Sequence, residues 1–173
     1  VDGFDVELRD DDGNLVPVGQ PGQMFVAGES VTPGYWRRTE HNRKTFHGRF
    51  MATGDTFVRN EDDSFTYLGR GDDMIKAGGI WVSPAEVEGA IIELSEVVLA
   101  AVVGTADDDG LTKPKAFVVL NDGVVGDAAL VTRIQDHVKA TLAPFKYPRW
   151  VEFVDELPTT ATGKVKRHLL REG

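Results

Sequence analysis

The fold is decided in residues 83–103, which read SPAEVEGAIIELSEVVLAAVV. Ser83 followed by Pro84, with Glu86 three residues after the serine, is typical of a capped helix start. Apolar residues at helical spacing come next, namely Val87, Ile91 and Leu94. The continuous apolar run over residues 97–103 then predicts a buried strand directly after the helix.

Downstream of this stretch, the pattern predicts two more strands and one more helix. The expected elements are a strand at residues 115–120, a helix at 127–142 and a strand at 149–154. The short link between the first two strands favours an antiparallel pair. Residues 72–173 are therefore expected to form a compact α/β domain, with a central and mostly antiparallel sheet flanked by helices.

Upstream, residues 1–71 read as short strands separated by turns. Residues 56–59 and 64–68 flank a polar turn in the manner of a hairpin. The helical signal in this part is limited to a short turn near residues 39–42. We expect a small β-rich segment that forms part of a barrel, which makes the class of the whole chain α+β.

Composition restricts the classes of function. The 173 residues include 28 acidic and 19 basic side chains, and this net charge of −9 disfavours a nucleic-acid partner. No apolar run approaches the ~20 residues that span a bilayer, so no membrane partner is expected. The absence of cysteine excludes disulfides and thiolate metal sites and fits a reducing, cytoplasmic location. Without an initiator methionine or a signal peptide, the chain is expected to be a fragment of a longer protein.

The most informative motif is residues 157–164, Leu-Pro-Thr-Thr-Ala-Thr-Gly-Lys. A lysine after Thr-Gly lies on a flexible, hydroxyl-lined loop and can deliver its ammonium to a phosphate or carboxylate that gathers negative charge. The alternative is an exposed tail with ordinary solvated lysines. The segment is not a P-loop, because the Gly-x-x-x-x-Gly-Lys spacing is absent.

Two other motifs precede this one. In Thr53-Gly54-Asp55, a carboxylate at a tight glycine turn ahead of a strand can accept hydrogen bonds from a ribose diol, although a plain turn aspartate is the alternative. Residues 69–88, GRGDDMIKAGGIWVSPAEVE, place glycines around charged residues where the composition changes. This arrangement suits a hinge, with an ordinary linker as the alternative.

Together and in this order, the segments resemble the end of an acyl- or aryl-adenylate-forming enzyme. That superfamily includes acyl-CoA synthetases, peptide-synthetase adenylation domains and beetle luciferases. The resemblance covers essentially the whole chain and is carried by residues 28–36, 53–55, 69–79 and 158–164. Residues 142–158, LAPFKYPRWVEFVDELP, look most like benzoate-type aryl-CoA ligases.

The resemblance implies roles for individual residues. Asp55 would bind the ribose hydroxyls of ATP or AMP, with Arg70 assisting and Tyr67 beside the nucleotide. Asp72 would be the hinge about which the C-terminal domain rotates between two half-reactions. Lys164 would be the catalytic lysine of adenylation, reaching the carboxylate oxygen and the α-phosphate.

The resemblance also implies a site for CoA, whose residues would be Lys76, Gly78, Gly79, Trp81, Phe145 and Lys146. The two glycines would let the pantetheine arm pass close to the backbone. Phe145 would stack on the nucleotide end of CoA, and Lys146 would pair with a phosphate. No metal ligand is expected in this chain, because the Mg²⁺ of the family belongs to an upstream segment.

The implied reaction joins a carboxylic acid, expected to be aromatic, to CoA. The carboxylate attacks the α-phosphate of ATP to give an acyl-adenylate and pyrophosphate, and the CoA thiol then displaces AMP. Residues 1–71 would end the large N-terminal domain and residues 72–173 would form the mobile domain, so this part alone would be inactive. Two alternatives stay open: an adenylation enzyme that loads a carrier protein, and a non-catalytic binding module that keeps the lid fold.

Overall fold

The computed structural model describes residues 3–171 and divides into two compact units, with the boundary between Asp72 and Asp73. The elements of the first unit are β1 (Phe4–Arg9), β2 (Pro21–Gly28), α1 (Thr39–Thr45), β3 (Phe46–His47), β4 (Phe50–Arg59) and β5 (Phe65–Arg70). A 3₁₀ turn, Gly71–Asp73, follows β5. The predicted α+β class is confirmed, because sheets and helices both occur and most strand pairs are antiparallel.

The first unit is one antiparallel sheet built around β4. This long strand pairs with β2, β3 and β5 along different parts of its length, and β1 pairs with the outer side of β2. Its buried core consists of Phe25, Ala27 and Phe50. The guanidinium of Arg9 lies 4.5 Å from the ring centre of Phe25, so a cation also covers this small core.

The predicted hairpin is the pair β4 and β5. The backbone N–H of Asn60 donates to the Ser64 carbonyl at 2.8 Å and closes the turn between the strands. The hydroxyl and backbone N–H of Ser64 donate to the Asp62 carboxylate, and these bonds hold the pKa of Asp62 below its ordinary value. The helical signal near residues 39–42 becomes the two-turn helix α1.

The placement of Thr53-Gly54-Asp55 ahead of a strand is wrong, because all three residues lie inside β4. Gly54 has φ of +78°. Glycine adopts this conformation without strain, and strands contain it where their pairing is interrupted by a bulge. The register of β4 against β2 shifts in this region. Glycine and aspartate are typical of turns, and here the long-range pairing with β2 overrides that preference.

The second unit holds the remaining elements. They are β6 (Ile75–Ala77), β7 (Ile80–Val82), α2 (Pro84–Ile92), β8 (Val97–Ala106), β9 (Thr112–Leu120), α3 (Ala128–Thr141), β10 (Trp150–Phe153) and α4 (Arg167–Arg171), with a 3₁₀ turn at Pro144–Lys146. Strands β8 and β9 form the predicted antiparallel pair. Strand β10 lies parallel to β9, since α3 carries the chain back across the sheet before β10 begins.

Both predicted helices of this unit begin at capping side chains. The Ser83 hydroxyl accepts a hydrogen bond from the Glu86 backbone N–H at 3.3 Å, and Pro84 occupies the first turn of α2. The Asp127 carboxylate accepts from the Leu130 backbone N–H at 2.8 Å and caps α3. These caps fix the start of each helix where the sequence predicts it.

The three-stranded sheet of the second unit has an apolar core on each face. Helices α2 and α3 cover one face with residues such as Ile91 and Ile134, which are fully buried. On the other face, Phe117 packs with Leu157 and with the partly buried Leu170. The C-terminal segment is therefore part of the packed domain, with apolar contacts at Leu157 before the Thr-Gly-Lys motif and at Val165 and Leu170 after it. Across residues 3–171, the helices are all too short or too polar to cross a bilayer.

Candidate functional site

Lys164 lies in a closed loop between β10 and α4. The backbone N–H of Thr160 donates to the Lys164 carbonyl at 2.8 Å, and the Gly163 N–H donates back to the Thr160 carbonyl at 2.9 Å. The Lys164 N–H donates to the Thr160 hydroxyl at 3.1 Å. At the base of the loop, the Lys166 N–H donates to the Pro158 carbonyl at 2.8 Å. These bonds give a defined backbone to a segment that the sequence predicts to be a flexible loop.

The side chain of Lys164 is exposed at this loop. Several other lysines of the second unit are paired, for example Lys146 with Glu86 at 2.8 Å and Lys115 with Glu152 at 2.9 Å. Within the described part of the chain, no carboxylate lies within ion-pairing distance of the Lys164 ammonium. Its charge is therefore available to an anionic ligand.

The predicted nucleotide residues meet on one face of the first unit. Asp55 of β4 pairs in register with Arg70 of β5, and Phe57 pairs with Tyr67. Residues directly opposite each other share a face, as do residues two apart on a regular strand, so all four side chains lie on the same side. The Asp55 carboxylate and the Arg70 guanidinium are 3.6 Å apart.

An irregularity in β5 makes this arrangement possible. Tyr67 and Arg70 are three residues apart and would face opposite sides of a regular strand. The register shifts between the pairs at Thr56 and Phe57, so that Leu68 is an extra residue on β5. Tyr67 is exposed and its ring contacts that of Phe57 edge-on, with centroids 5.3 Å apart. A flat ligand ring therefore has an accessible aromatic neighbour beside a carboxylate and a guanidinium.

The predicted CoA residues near position 80 form a small hairpin. Strands β6 and β7 pair antiparallel, with Lys76 opposite Trp81 and the lysine ammonium 5.0 Å from the centre of the indole ring. Gly78 and Gly79 form the two-residue turn, and their φ angles of +59° and +84° are those of a type I′ hairpin turn. Apart from the chain neighbours, no atom of residues 3–171 lies within 4 Å of a Cβ built at either glycine, so the turn is open to a ligand.

A cavity of about 160 Å³ lies beside this hairpin within the second unit. Its lining residues are Ala77, Lys113, Pro114, Phe145, Tyr147 and Arg149. Arg149 donates a hydrogen bond to the Tyr147 hydroxyl, and the Lys139 ammonium lies 4.5 Å from the centre of the Tyr147 ring. Aromatic rings surrounded by cations suit a flat, anionic ligand such as a nucleotide phosphate.

Phe145 and Lys146 differ in their position relative to this cavity. Both belong to the 3₁₀ turn Pro144–Lys146, and Phe145 lines the cavity with its ring partly exposed. The ammonium of Lys146 instead donates to the Glu86 carboxylate of α2. The cations that line the cavity are Lys113 and Arg149, which sequence reasoning missed because they come from distant segments with no local spacing to connect them.

Asp72 is exposed and lies in the 3₁₀ turn Gly71–Asp73, at the boundary between the two units. A short turn at such a boundary is where a change of backbone torsions disturbs the fewest packed side chains. Among residues 3–171, no group of three or more histidine, aspartate or glutamate side chains is arranged to hold a metal ion.

Comparison with known proteins gives consistent results. Residues 86–164 match the family described as the AMP-binding enzyme C-terminal domain. The chain is 47% identical over 172 residues to a benzoate–CoA ligase of Thauera aromatica, and 44% identical over 173 residues to a 4-hydroxybenzoate–CoA/benzoate–CoA ligase of Rhodopseudomonas palustris. Each alignment covers 99% of this chain, but 33% and 32% of the respective relatives.

A solved structure extends the similarity to three dimensions. The anthranilate CoA ligase AuaEII, crystallised in complex with anthranoyl-AMP, superposes with a TM-score of 0.88 at 44% identity. The superposition covers 99% of this chain and 33% of that protein. The chain thus spans about a third of the length of the proteins that it matches.

Proposed function

We propose that the chain belongs to the adenylate-forming enzymes and is the C-terminal third of an ATP-dependent aryl-CoA ligase, because residues 86–164 match the AMP-binding enzyme C-terminal domain and the alignments with two aryl-CoA ligases cover 99% of the chain. The ligase converts an aromatic carboxylic acid of the benzoate type, ATP and CoA into the acyl-CoA, AMP and pyrophosphate. The observation that carries this proposal is the closed loop that presents the exposed Lys164 side chain, found in a chain 47% identical to a benzoate–CoA ligase. With ATP and CoA as substrates, we place the enzyme in the cytoplasm.

In the first half-reaction, the carboxylate attacks the α-phosphate and negative charge increases on the phosphate oxygens. The Lys164 ammonium stabilises this charge, and the stabilisation is greatest in the transition state. Asp55 accepts hydrogen bonds from the ribose hydroxyls, while Arg70, whose guanidinium lies 3.6 Å from that carboxylate, lies next to the phosphates. Tyr67 packs beside the nucleotide on the same sheet face. We place the magnesium ion of the family in the other two thirds of the ligase, as the resemblance implies.

In the second half-reaction, the CoA thiol attacks the acyl-adenylate and AMP leaves. The open turn at Gly78 and Gly79 gives the pantetheine arm close access to the backbone, beside the paired Lys76 and Trp81. The cationic cavity next to this hairpin takes the nucleotide end of CoA, with Phe145 as the stacking ring. Lys146 contributes to the same region, where its pairing with Glu86 holds the 3₁₀ turn to α2.

The two half-reactions need different residues of the second unit, Lys164 in one and the glycine hairpin in the other. We therefore place a hinge at Asp72, about which the unit turns between the two steps. Residues 1–71 end the large domain and residues 72–173 form the mobile domain. Closure of this domain over the adenylate excludes water, which would otherwise hydrolyse it.

A hybrid ligase tests the proposal. In this hybrid, residues 1–173 replace the matching C-terminal third of the Thauera aromatica benzoate–CoA ligase, and the unaltered relative is the control. We expect benzoate-dependent exchange of pyrophosphate into ATP and formation of benzoyl-CoA from free CoA. The chain alone is expected to do neither.

The outcomes separate the alternatives. Exchange without benzoyl-CoA, but with acyl transfer to a carrier protein, would favour an adenylation enzyme that loads a carrier. A hybrid that folds and binds ATP but shows no exchange would favour a non-catalytic binding module and contradict the proposed function. Folding is checked by circular dichroism and ATP binding by calorimetry.

A further inference from the structure

Arg167, three residues after Lys164, is the centre of an ion-pair cluster in the second unit. Its Nη2 donates to both carboxylate oxygens of Glu88, each at 2.9 Å, and its Nη1 donates to Asp73 Oδ2 at 3.3 Å. Arg171 donates to the other oxygen of Asp73 at 3.1 Å. The side chains of Arg167 and Glu88 are only 22% and 13% exposed, so solvent screens this pair less than a surface pair.

The cluster is attached to rigid elements on its acidic side. Glu88 belongs to α2, and its Oε1 also accepts a hydrogen bond from the Val102 backbone N–H of β8 at 2.8 Å. Strand β8 lies at the edge of the three-stranded sheet, where this N–H points away from β9. A carboxylate held by a helix, a strand and a guanidinium has little freedom to move.

On its basic side, the cluster is attached to the segment that carries Lys164. Arg167 begins α4, immediately after the base of the lysine loop. Leu157 at the other end of the loop is buried, and Thr159 and Val165 form an isolated bridge between the two ends. The buried Leu157 before the loop and the ion pairs of Arg167 after it therefore determine the position of Lys164.

We propose that Arg167 is a positioning residue for Lys164. By tying the start of α4 to Glu88 and Asp73, it fixes the base of residues 159–165 and thereby the place of the ammonium during adenylation. The role of Lys164 in catalysis rests on the proposed function, whereas the ordering of the loop by Arg167 does not. Asp73 directly follows Asp72, so the same cluster joins the lysine loop to the residue beside the proposed hinge.

The geometry of the cluster favours arginine. The planar guanidinium reaches Glu88 through Nη2 and Asp73 through Nη1, two nitrogens at a fixed separation, whereas a lysine ammonium would have to bond both carboxylates from one nitrogen. Arg167→Lys therefore keeps the charge but loses the geometry. It also provides a variant that is expected to fold if Arg167→Ala does not.

Hydrogen exchange on the 173-residue chain tests the ordering of the loop without any assay of activity. In Arg167→Ala and Arg167→Lys, the backbone amides of Lys164 and Lys166 are expected to exchange faster, with the amides paired between β8 and β9 unchanged. Arg133→Ala is the matched control, because it removes another ion pair of the same unit, that with Glu96. Unchanged loop amides, or equal acceleration throughout the unit, would overturn the proposal.

A double-mutant cycle in the hybrid ligase tests the catalytic consequence. We expect Arg167→Ala to lower kcat for pyrophosphate exchange on the order of 100-fold with little change in the KM for ATP, as displacement of a catalytic group does. In a Lys164→Ala background, the same substitution should cause no further loss. An equal loss in both backgrounds would show a merely structural role and overturn the proposal. If Lys164→Ala alone leaves exchange normal, the proposed function fails, and hydrogen exchange still decides whether Arg167 orders the loop.

Discussion

At the scale of single residues, whether a lysine ammonium can bind an anionic ligand depends on the carboxylates around it. Lys146 and Lys164 have the same side chain, but Lys146 lies 2.8 Å from the carboxylate of Glu86, whereas Lys164 extends from a closed loop into solvent. An ammonium that already pairs with a carboxylate must give up that partner to bind a phosphate. Because the structure shows no carboxylate paired with Lys164 among residues 3–171, the proposed role of its ammonium requires no ion pair of that part of the chain to break.

Replacing Lys164 tests this distinction. In the hybrid ligase, Lys164→Ala should raise the activation free energy of pyrophosphate exchange by about 2–4 kcal/mol. This is the range for the loss of one hydrogen-bond donor to a developing oxyanion. Transfer of the acyl group from a preformed adenylate to CoA should stay largely intact. Lys166→Ala is the control, since this residue belongs to the same segment but its backbone, not its ammonium, closes the loop. Near-normal exchange in Lys164→Ala would remove the lysine from the mechanism.

At the scale of secondary-structure elements, the sequence predicts correctly those features that depend on residues close together in the chain. Ser83 and Asp127 cap their helices where predicted, since the cap and the N–H that it accepts are three residues apart. The hairpin of β6 and β7 was missed although Gly78-Gly79 is a hairpin signal, because each strand has three residues.

Features that depend on distant residues could be predicted only in part. The sequence singles out Asp55 and Arg70, but their meeting depends on the register between β4 and β5 and on the extra residue in β5. Lys113 and Arg149 approach each other because β10 lies parallel to β9, which local spacing does not reveal. The cavity lined by Lys113 and Arg149 therefore depends on the pairing of strands in the folded sheet and is not predicted from local sequence patterns.

Two adjacent isoleucines of α2 test the packing of this helix on the sheet. Ile91 is fully buried and Ile92 is 44% exposed. Ile91→Ala should lower the free energy of unfolding of the second unit by about 2–5 kcal/mol, because it leaves a cavity in the core. Ile92→Ala should change it by less than ~0.5 kcal/mol. Urea denaturation followed by circular dichroism measures both, and equal effects would contradict the assigned faces of α2.

At the scale of the whole molecule, the two units differ in how well each is packed. Among the described residues, the core cluster of the first unit joins only Phe25, Ala27 and Phe50, whereas the main core of the second joins α2, α3 and the sheet. The first unit also exposes large aromatic side chains, Trp36 at 89% and Tyr67 at 52%. Such surface is typical of an interface that another part of a protein covers.

We therefore expect the first unit to unfold more readily than the second in the 173-residue chain. Native-state hydrogen exchange should show lower protection for the amides of β2 and β4 than for those of β8 and β9. In the hybrid ligase, the protection of β2 and β4 should rise, because the remaining domain covers the exposed aromatic residues. Equal protection of the two sheets in the isolated chain would contradict this expectation.

The central claim is that one chain serves two half-reactions by turning about Asp72, and Asp72→Pro tests it most directly. Proline fixes φ near −65° and removes a backbone N–H, whereas the control Asp72→Ala removes only the carboxylate. The measurement is the ratio of the rates of adenylate formation and thioester formation in the hybrid ligase, with folding checked by circular dichroism. We predict that Asp72→Pro keeps adenylate formation and lowers thioester formation on the order of 100-fold, since the second step loses its geometry, while Asp72→Ala leaves the ratio near that of the parent. An unchanged ratio in Asp72→Pro would show that the hinge does not lie at Asp72 and would contradict the account.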